Sequence, residues 1–211
     1  MTTSKPITIV GLGGSLAPTS SNLIALTIAL KAAQDDGAET ELLDLGQLDL
    51  PMYRPGLSPV PPSVVHLCDS VYRADGLLWA SPLYHGTISG AFKNALDWLQ
   101  LLSDREPAYL TDKVIGLIST AGGTQGLQAV NTMEYVVRAL RGWAVPLVIP
   151  IARAWDEFDT EGHARHPEVE KQLQALGREV TRAAGIFAAQ QLTSREAAAA
   201  EAALQPIDGD K

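Results

Sequence analysis

The stretch Ile7-Thr8-Ile9-Val10-Gly11-Leu12-Gly13-Gly14-Ser15-Leu16-Ala17-Pro18-Thr19-Ser20-Ser21-Asn22 decides the fold. Ile7 to Val10 is a β-branched run that meets glycines at once, and from Asn22 to Lys31 the apolar residues Leu23, Ile24 and Leu30 return in helical rhythm. Strand, tight loop and helix follow. Gly13 and Gly14 permit a close turn, while Ser15, Thr19, Ser20 and Ser21 offer hydroxyls. The first amides of a helix have no partner inside it, so this loop suits a phosphate. Leu16 stands where a Gly-x-Gly-x-x-Gly fingerprint needs its last glycine, and no Gly-Lys-Ser or Gly-Lys-Thr follows. A compact phosphate monoester therefore fits better than a dinucleotide or a Walker-type nucleotide. The plainer alternative is a serine-rich turn with an ordinary helix cap.

Working outward, a chain of 211 residues with 46% hydrophobic content supports one substantial core. Sixteen Lys and Arg against 24 Asp and Glu give a formal net charge of −8, which favours neither nucleic acid nor an anionic membrane. No apolar run approaches the ~18 residues of a spanning helix, and the N-terminus carries no signal-like pattern, so a cytoplasmic location is expected. Cys68 is the single cysteine. It excludes an intrachain disulfide, and its spacing from Val64, Leu67 and Val71 puts it on the packed face of a helix.

The remaining elements alternate. Strands are expected at Glu39–Leu43, Gly76–Ala80, Lys113–Ile118 and Ala144–Ile149, and helices at Pro62–Ala74, Ser89–Leu102 and Leu127–Leu140. Gln47 to Pro61 reads as a long loop, and Val169, Leu173, Leu176, Val180 and Ala184 mark a closing helix. Such alternation builds an α/β three-layer sandwich around a five-stranded parallel sheet. The order 2-1-3-4-5 is expected, because it gathers the loops after strands 1, 3 and 4 where strand order reverses. The domain is drawn as residues 1–190. The tail, 191–211, is set apart: Thr193-Ser194-Arg195-Glu196 resembles the start of a capping box, and for the alanine-rich run after it three outcomes stay open, a short helix, fraying or an oligomer contact.

The second loop, Ser81-Pro82-Leu83-Tyr84-His85-Gly86, offers a restricted turn and two rings able to flank a planar ligand. The third, Ser119-Thr120-Ala121-Gly122-Gly123-Thr124-Gln125-Gly126, lets backbone approach one ring edge. Asn94 is placed to hydrogen-bond a neighbouring loop, and Lys93 to pair with Asp97 one turn on. His163 and His166 lie in a polar segment, yet Pro167 interrupts any helical His pair, and no metal is expected. Nor does any Gly-x-Ser-x-Gly or carboxylate pair suggest hydrolysis, so no side chain is assigned as catalytic.

Two longer motifs carry a resemblance. Gly14-Ser15-Leu16-Ala17-Pro18-Thr19-Ser20-Ser21-Asn22 and Pro82-Leu83-Tyr84-His85-Gly86-Thr87-Ile88-Ser89-Gly90-Ala91-Phe92-Lys93-Asn94-Ala95-Leu96-Asp97-Trp98 resemble the NAD(P)H-dependent FMN reductase family of the flavodoxin-like superfamily. The resemblance implies a flavodoxin-like sandwich that binds FMN. It implies phosphate contacts from Ser15, Thr19, Ser20, Ser21 and Asn22, and ring contacts from Pro82, Leu83, Tyr84, His85, Gly86, Ser119, Ala121, Gly122 and Gly123. Lys93, Asn94 and Asp97 match its supporting helix. The implied reaction passes hydride from NADH or NADPH to the flavin and then to a quinone, an azo compound, free flavin or oxygen. A homodimer or homotetramer is also implied.

Ala17 departs from the pattern, which commonly has an arginine there. Three outcomes stay open: hydroxyls and amides hold the phosphate with a basic residue from elsewhere, FMN exchanges, or FMN binding is lost. The sequence designates no basic pocket for the extra phosphate of NADPH. A non-enzymatic flavodoxin-like electron carrier or flavin-binding regulator is the alternative function.

Overall fold

The computed structural model describes residues 6–204. Five parallel strands, β1 (Thr8–Gly13), β2 (Glu39–Asp44), β3 (Gly76–Tyr84), β5 (Val114–Thr120) and β6 (Trp143–Ile151), stand in the order β2-β1-β3-β5-β6. That is the expected 2-1-3-4-5 arrangement of five parallel strands. A sixth, β4 (Thr87–Ile88), was not expected and pairs antiparallel with the end of β3.

Alternation along the strands builds both cores. Val10, Leu12, Leu77, Trp79, Ile115 and Leu117 face α3 (Pro62–Arg73), α4 (Gly90–Trp98) and α5 (Leu127–Ala139). Ile9, Leu78, Ala80, Val114 and Ile118 face α1 (Ser21–Asp35) and α7 (Pro167–Leu204). Successive residues of a strand point to opposite faces, so unbroken apolar runs signify a sheet covered on both sides. Helices α1 and α7 cross in close contact. A Cβ at Gly177 would lie 2.1 Å from the Ala29 carbonyl oxygen.

Three differences from the sequence expectations matter. First, β3 runs on through Ser81, Pro82, Leu83 and Tyr84, where the sequence predicts a loop. Pro82 is tolerated there because β1 ends opposite Ala80, leaving no ladder partner on that side for an amide to lose. Second, a short helix, α2 (Leu45–Leu48), precedes the long loop, and α4 ends at Trp98 in a 3-10 turn, Leu99–Leu102. Third, α7 passes through the expected capping box without a break. The Thr193 and Ser194 hydroxyls donate to the carbonyls of Ala189 and Gln190 one turn back, which keeps both residues inside the helix. Among the described residues no helix is long and apolar enough to cross a membrane.

Cys68 lies on the expected packed face with Val64, Leu67 and Val71. Burial, with the Asp69 charge beside it, pushes its thiol up to about 11.

Candidate functional site

The carboxyl ends of β1, β3 and β5 are tied into one edge by hydrogen bonds between their loops. Gly14 N donates to Ala80 O at 2.8 Å, and the Ser89 hydroxyl donates to Gly14 O at 2.6 Å. Ser89 also caps α4, its oxygen accepting Phe92 N at 3.0 Å, and its own amide donates to the Ser81 hydroxyl. A Cβ at Gly14 would sit 2.9 Å from Ala80 O and 2.8 Å from Phe92 Cδ2. Glycine is thus what lets the first loop lie against the second.

Ser20 is the N-cap residue of α1, but its side chain makes no capping bond. The first α1 amide with a backbone partner is Ile24 N, which donates to Ser20 O. The amides of Ser21, Asn22 and Leu23 therefore retain their donor capacity at a helix start. Ser20 thus caps α1 by position and not through a side-chain bond.

The serines of this loop divide in role. Ser15 is buried, its oxygen accepting Ala17 N at 3.2 Å, and Thr19 is exposed. The Ser21 hydroxyl donates to Ala154 O at 2.6 Å, so it braces α1 against α6 (Ala154–Glu157). Asn22, 2% exposed, places Nδ2 3.3 Å from the Thr120 hydroxyl and leaves Oδ1 without a partner. A buried orphan amide atom at the floor of a loop marks a place where a ligand or a rotated amide completes the bonding.

In the second loop Pro82 is buried and Leu83 half-buried, while Tyr84, His85 and Gly86 stand exposed at the tip of the β3–β4 hairpin. His85 has φ 50° and Gly86 φ 87°, the two left-handed positions that a two-residue hairpin turn needs. Tyr84, the last residue of β3, is 54% exposed.

In the third loop Ala121 is buried and Gly122 and Gly123 are open. Ser119 is fully buried and donates to Gly126 O at 2.7 Å, which shapes the loop from beneath. Arg153 N and Ala154 N donate to Gly123 O and Ala121 O, so the α6 segment holds both the first and the third loop.

Other sequence candidates have structural work. The Asn94 carboxamide accepts Tyr53 N at 2.8 Å and donates to Pro51 O at 3.0 Å, as expected of a loop anchor. Trp98 Nε1 donates to the same Pro51 carbonyl, and Lys93 pairs with Asp97 at 2.6 Å. His163 and His166 are not brought together on one ligand: His163 lies 3.6 Å from Asp159, and His166 Nδ1 lies 2.8 Å from Glu157. Sequence inspection missed Thr120 as the Asn22 partner and missed the whole α6 brace, whose short polar segment carries no periodic signal.

Residues 7–156 match the family described as NADPH-dependent FMN reductase. The NADPH-dependent FMN reductase ArsH of Shigella flexneri is 31% identical over 163 residues, covering 77% of this chain and 62% of that relative. The chain thus spans less than two thirds of that relative's length. The flavoenzyme FerB of Paracoccus denitrificans, an NAD(P)H:(acceptor) oxidoreductase, superposes with TM-score 0.67 at 23% identity over 86% of this chain and 98% of its own. A flavodoxin from the domain Archaea superposes with TM-score 0.57 at 10% identity over 84% and 98% of the two chains. With its flavodoxin-like strand order, its three tied loops and a family match over most of its length, this chain belongs to the NADPH-dependent FMN reductase family.

Proposed function

We propose that the three-loop edge binds FMN and that the chain is an NAD(P)H-dependent oxidoreductase delivering electrons to a small acceptor such as a quinone, an azo compound, free flavin or oxygen. The observation that carries this reading is the start of α1: uncapped amides and a buried, half-satisfied Asn22 beneath a glycine turn. Three free amides at the positive end of a helix favour an anion over a neutral group, and a phosphate matches them. If the Asn22 amide is rotated, its oxygen accepts from Thr120 and its two N–H donors complete the cradle.

When bound, the flavin supplies the two-electron chemistry that no side chain here provides. The protein's share is positioning. The Ser20 hydroxyl and the amides of residues 21–23 would take the phosphate, and Tyr84 and His85 would flank the ring. The open backbone at Gly122 and Gly123 would lie along its polar edge, where amide donors favour added negative charge. No charged carboxylate of the described residues is needed in that role.

Anaerobic addition of NADH and NADPH, separately, to FMN-loaded protein tests the proposal. Flavin absorbance should bleach much faster than for free FMN with at least one donor. If neither donor does so, the reductase reading fails and the electron-carrier or regulator alternative stands.

A further inference from the structure

A cleft of about 660 Å3 follows the open side of β6, between residues 149–152, α6 and the first turns of α7. It adjoins the proposed ring site directly, since Arg153 N donates to Gly123 O at 3.2 Å. Two side chains in it have nothing else to do. Arg153 is exposed and makes no ion pair within 4 Å among the described residues, although carboxylates are close in sequence. Those carboxylates are committed elsewhere. Glu157, 6% exposed, accepts His166 N at 3.1 Å and meets His166 Nδ1 at 2.8 Å, while Asp156 faces Arg165 at 3.8 Å. Beside them the Trp155 indole is 73% exposed.

An unpaired guanidinium next to an unpacked indole matches one ligand chemistry closely. The indole offers a face for a flat heteroaromatic ring, and the guanidinium offers a two-pronged grip on phosphate. On a chain of net charge −8, such a free cation is also a local exception in an otherwise repulsive field for anions. Arg153 is held in place by its backbone: its φ is 47°, and its carbonyl accepts Asp156 N at 3.0 Å.

We infer that this cleft receives the adenosine 2′-phosphate end of NADPH, with the purine on Trp155 and the 2′-phosphate on Arg153. The inference rests on the proposed reading that the nicotinamide end works at the second and third loops. It makes Arg153 the residue that distinguishes NADPH from NADH, which lacks that phosphate, and Trp155 a contact common to both.

The test pairs kinetics with binding of a probe that has no nicotinamide. In FMN-loaded protein, Arg153→Ala should lower the NADPH-to-NADH ratio of kcat/KM by about tenfold or more, chiefly through KM for NADPH. Trp155→Ala should raise KM for both donors. Adenosine 2′,5′-bisphosphate should bind the wild type and bind Arg153→Ala at least about tenfold more weakly, with Arg153→Lys recovering part of the loss. An unchanged donor ratio with unchanged bisphosphate affinity overturns the inference. A loss of FMN affinity in Arg153→Ala with no loss of riboflavin affinity also overturns it, assigning the guanidinium to the flavin phosphate instead. Should the wild type reduce with neither donor yet bind the bisphosphate through Arg153, the reductase reading falls and the cleft assignment stands.

Discussion

Gly14→Ala is the substitution that most directly probes how the first loop is seated. An added Cβ would lie 2.8 Å from Phe92 Cδ2, 2.9 Å from Phe92 Cβ and 2.9 Å from Ala80 O. None of these neighbours yields cheaply. Ala80 O is backbone and accepts Gly14's own amide, and Phe92 is fully buried with its ring edge-on to Trp79 at 5.8 Å. Overpacking of this kind costs about 1–3 kcal/mol. If the loop shifts to escape, it strains the Gly14–Ala80 and Ser89–Gly14 hydrogen bonds, at about 0.5–1.5 kcal/mol each. A loss near 2 kcal/mol in a domain of this size lowers Tm by roughly 4–8 °C. Because the shift displaces the first loop, the proposed phosphate cradle, from β3, the FMN dissociation constant should rise by about tenfold or more. Gly90→Ala is the control, since its Cβ would meet nothing within 4 Å and it lies in the first turn of α4. It should be neutral or slightly stabilising. Thermal unfolding and fluorimetric FMN titration read both effects. A Gly14→Ala protein with wild-type Tm and wild-type FMN affinity would refute the reasoning.

Gly177→Ala drives a methyl against the Ala29 carbonyl at the α1–α7 crossing and should cost about 3 kcal/mol in urea unfolding, with little change in FMN affinity per folded molecule. Asn94→Ala removes both bonds to the Pro51–Tyr53 segment, so Tyr53 amide exchange should accelerate by about tenfold or more while global stability falls by about 1–2 kcal/mol. Burial holds the Lys113 ammonium down to about 8 from 10.5, although Asp75 opposes the change. Between those two values the unfolded chain binds more protons than the folded one, so stability should rise with pH from about 8 to 10.5. Relative to Lys113→Gln the gain is of order 3 kcal/mol; a flat difference across that window would contradict it. Cys68, raised to about 11 and buried, should resist thiol reagents at pH 8 until the protein is unfolded.

The sheet was legible because its central strands are apolar on both faces, so Ile9 with Val10, Leu77 with Leu78 and Val114 with Ile115 announce strands that helices must cover on each side. The end of β3 was not. Pro82 argues against a central strand, and only the finding that β1 stops at Gly13 explains why it is harmless. The close turn of the first loop could be read from its glycines, but which of its hydroxyls remain free could not. Ser21 is spent on Ala154, a partner 133 residues away that nothing in its local sequence identifies. The same holds for Arg153 and Trp155, whose significance comes from what they fail to touch. Thr193 and Ser194 misled for the opposite reason, since hydroxyl residues that favour helix starts also bond back one turn inside a helix.

Direct comparison of FMN with riboflavin in equilibrium titrations tests the central claim, that the start of α1 grips a flavin phosphate. Two charge-assisted bonds from that cradle, at about 1.5 kcal/mol each, amount to about 3 kcal/mol. FMN should therefore bind at least about 100-fold more tightly than riboflavin. Equal affinity for the two flavins would contradict the account.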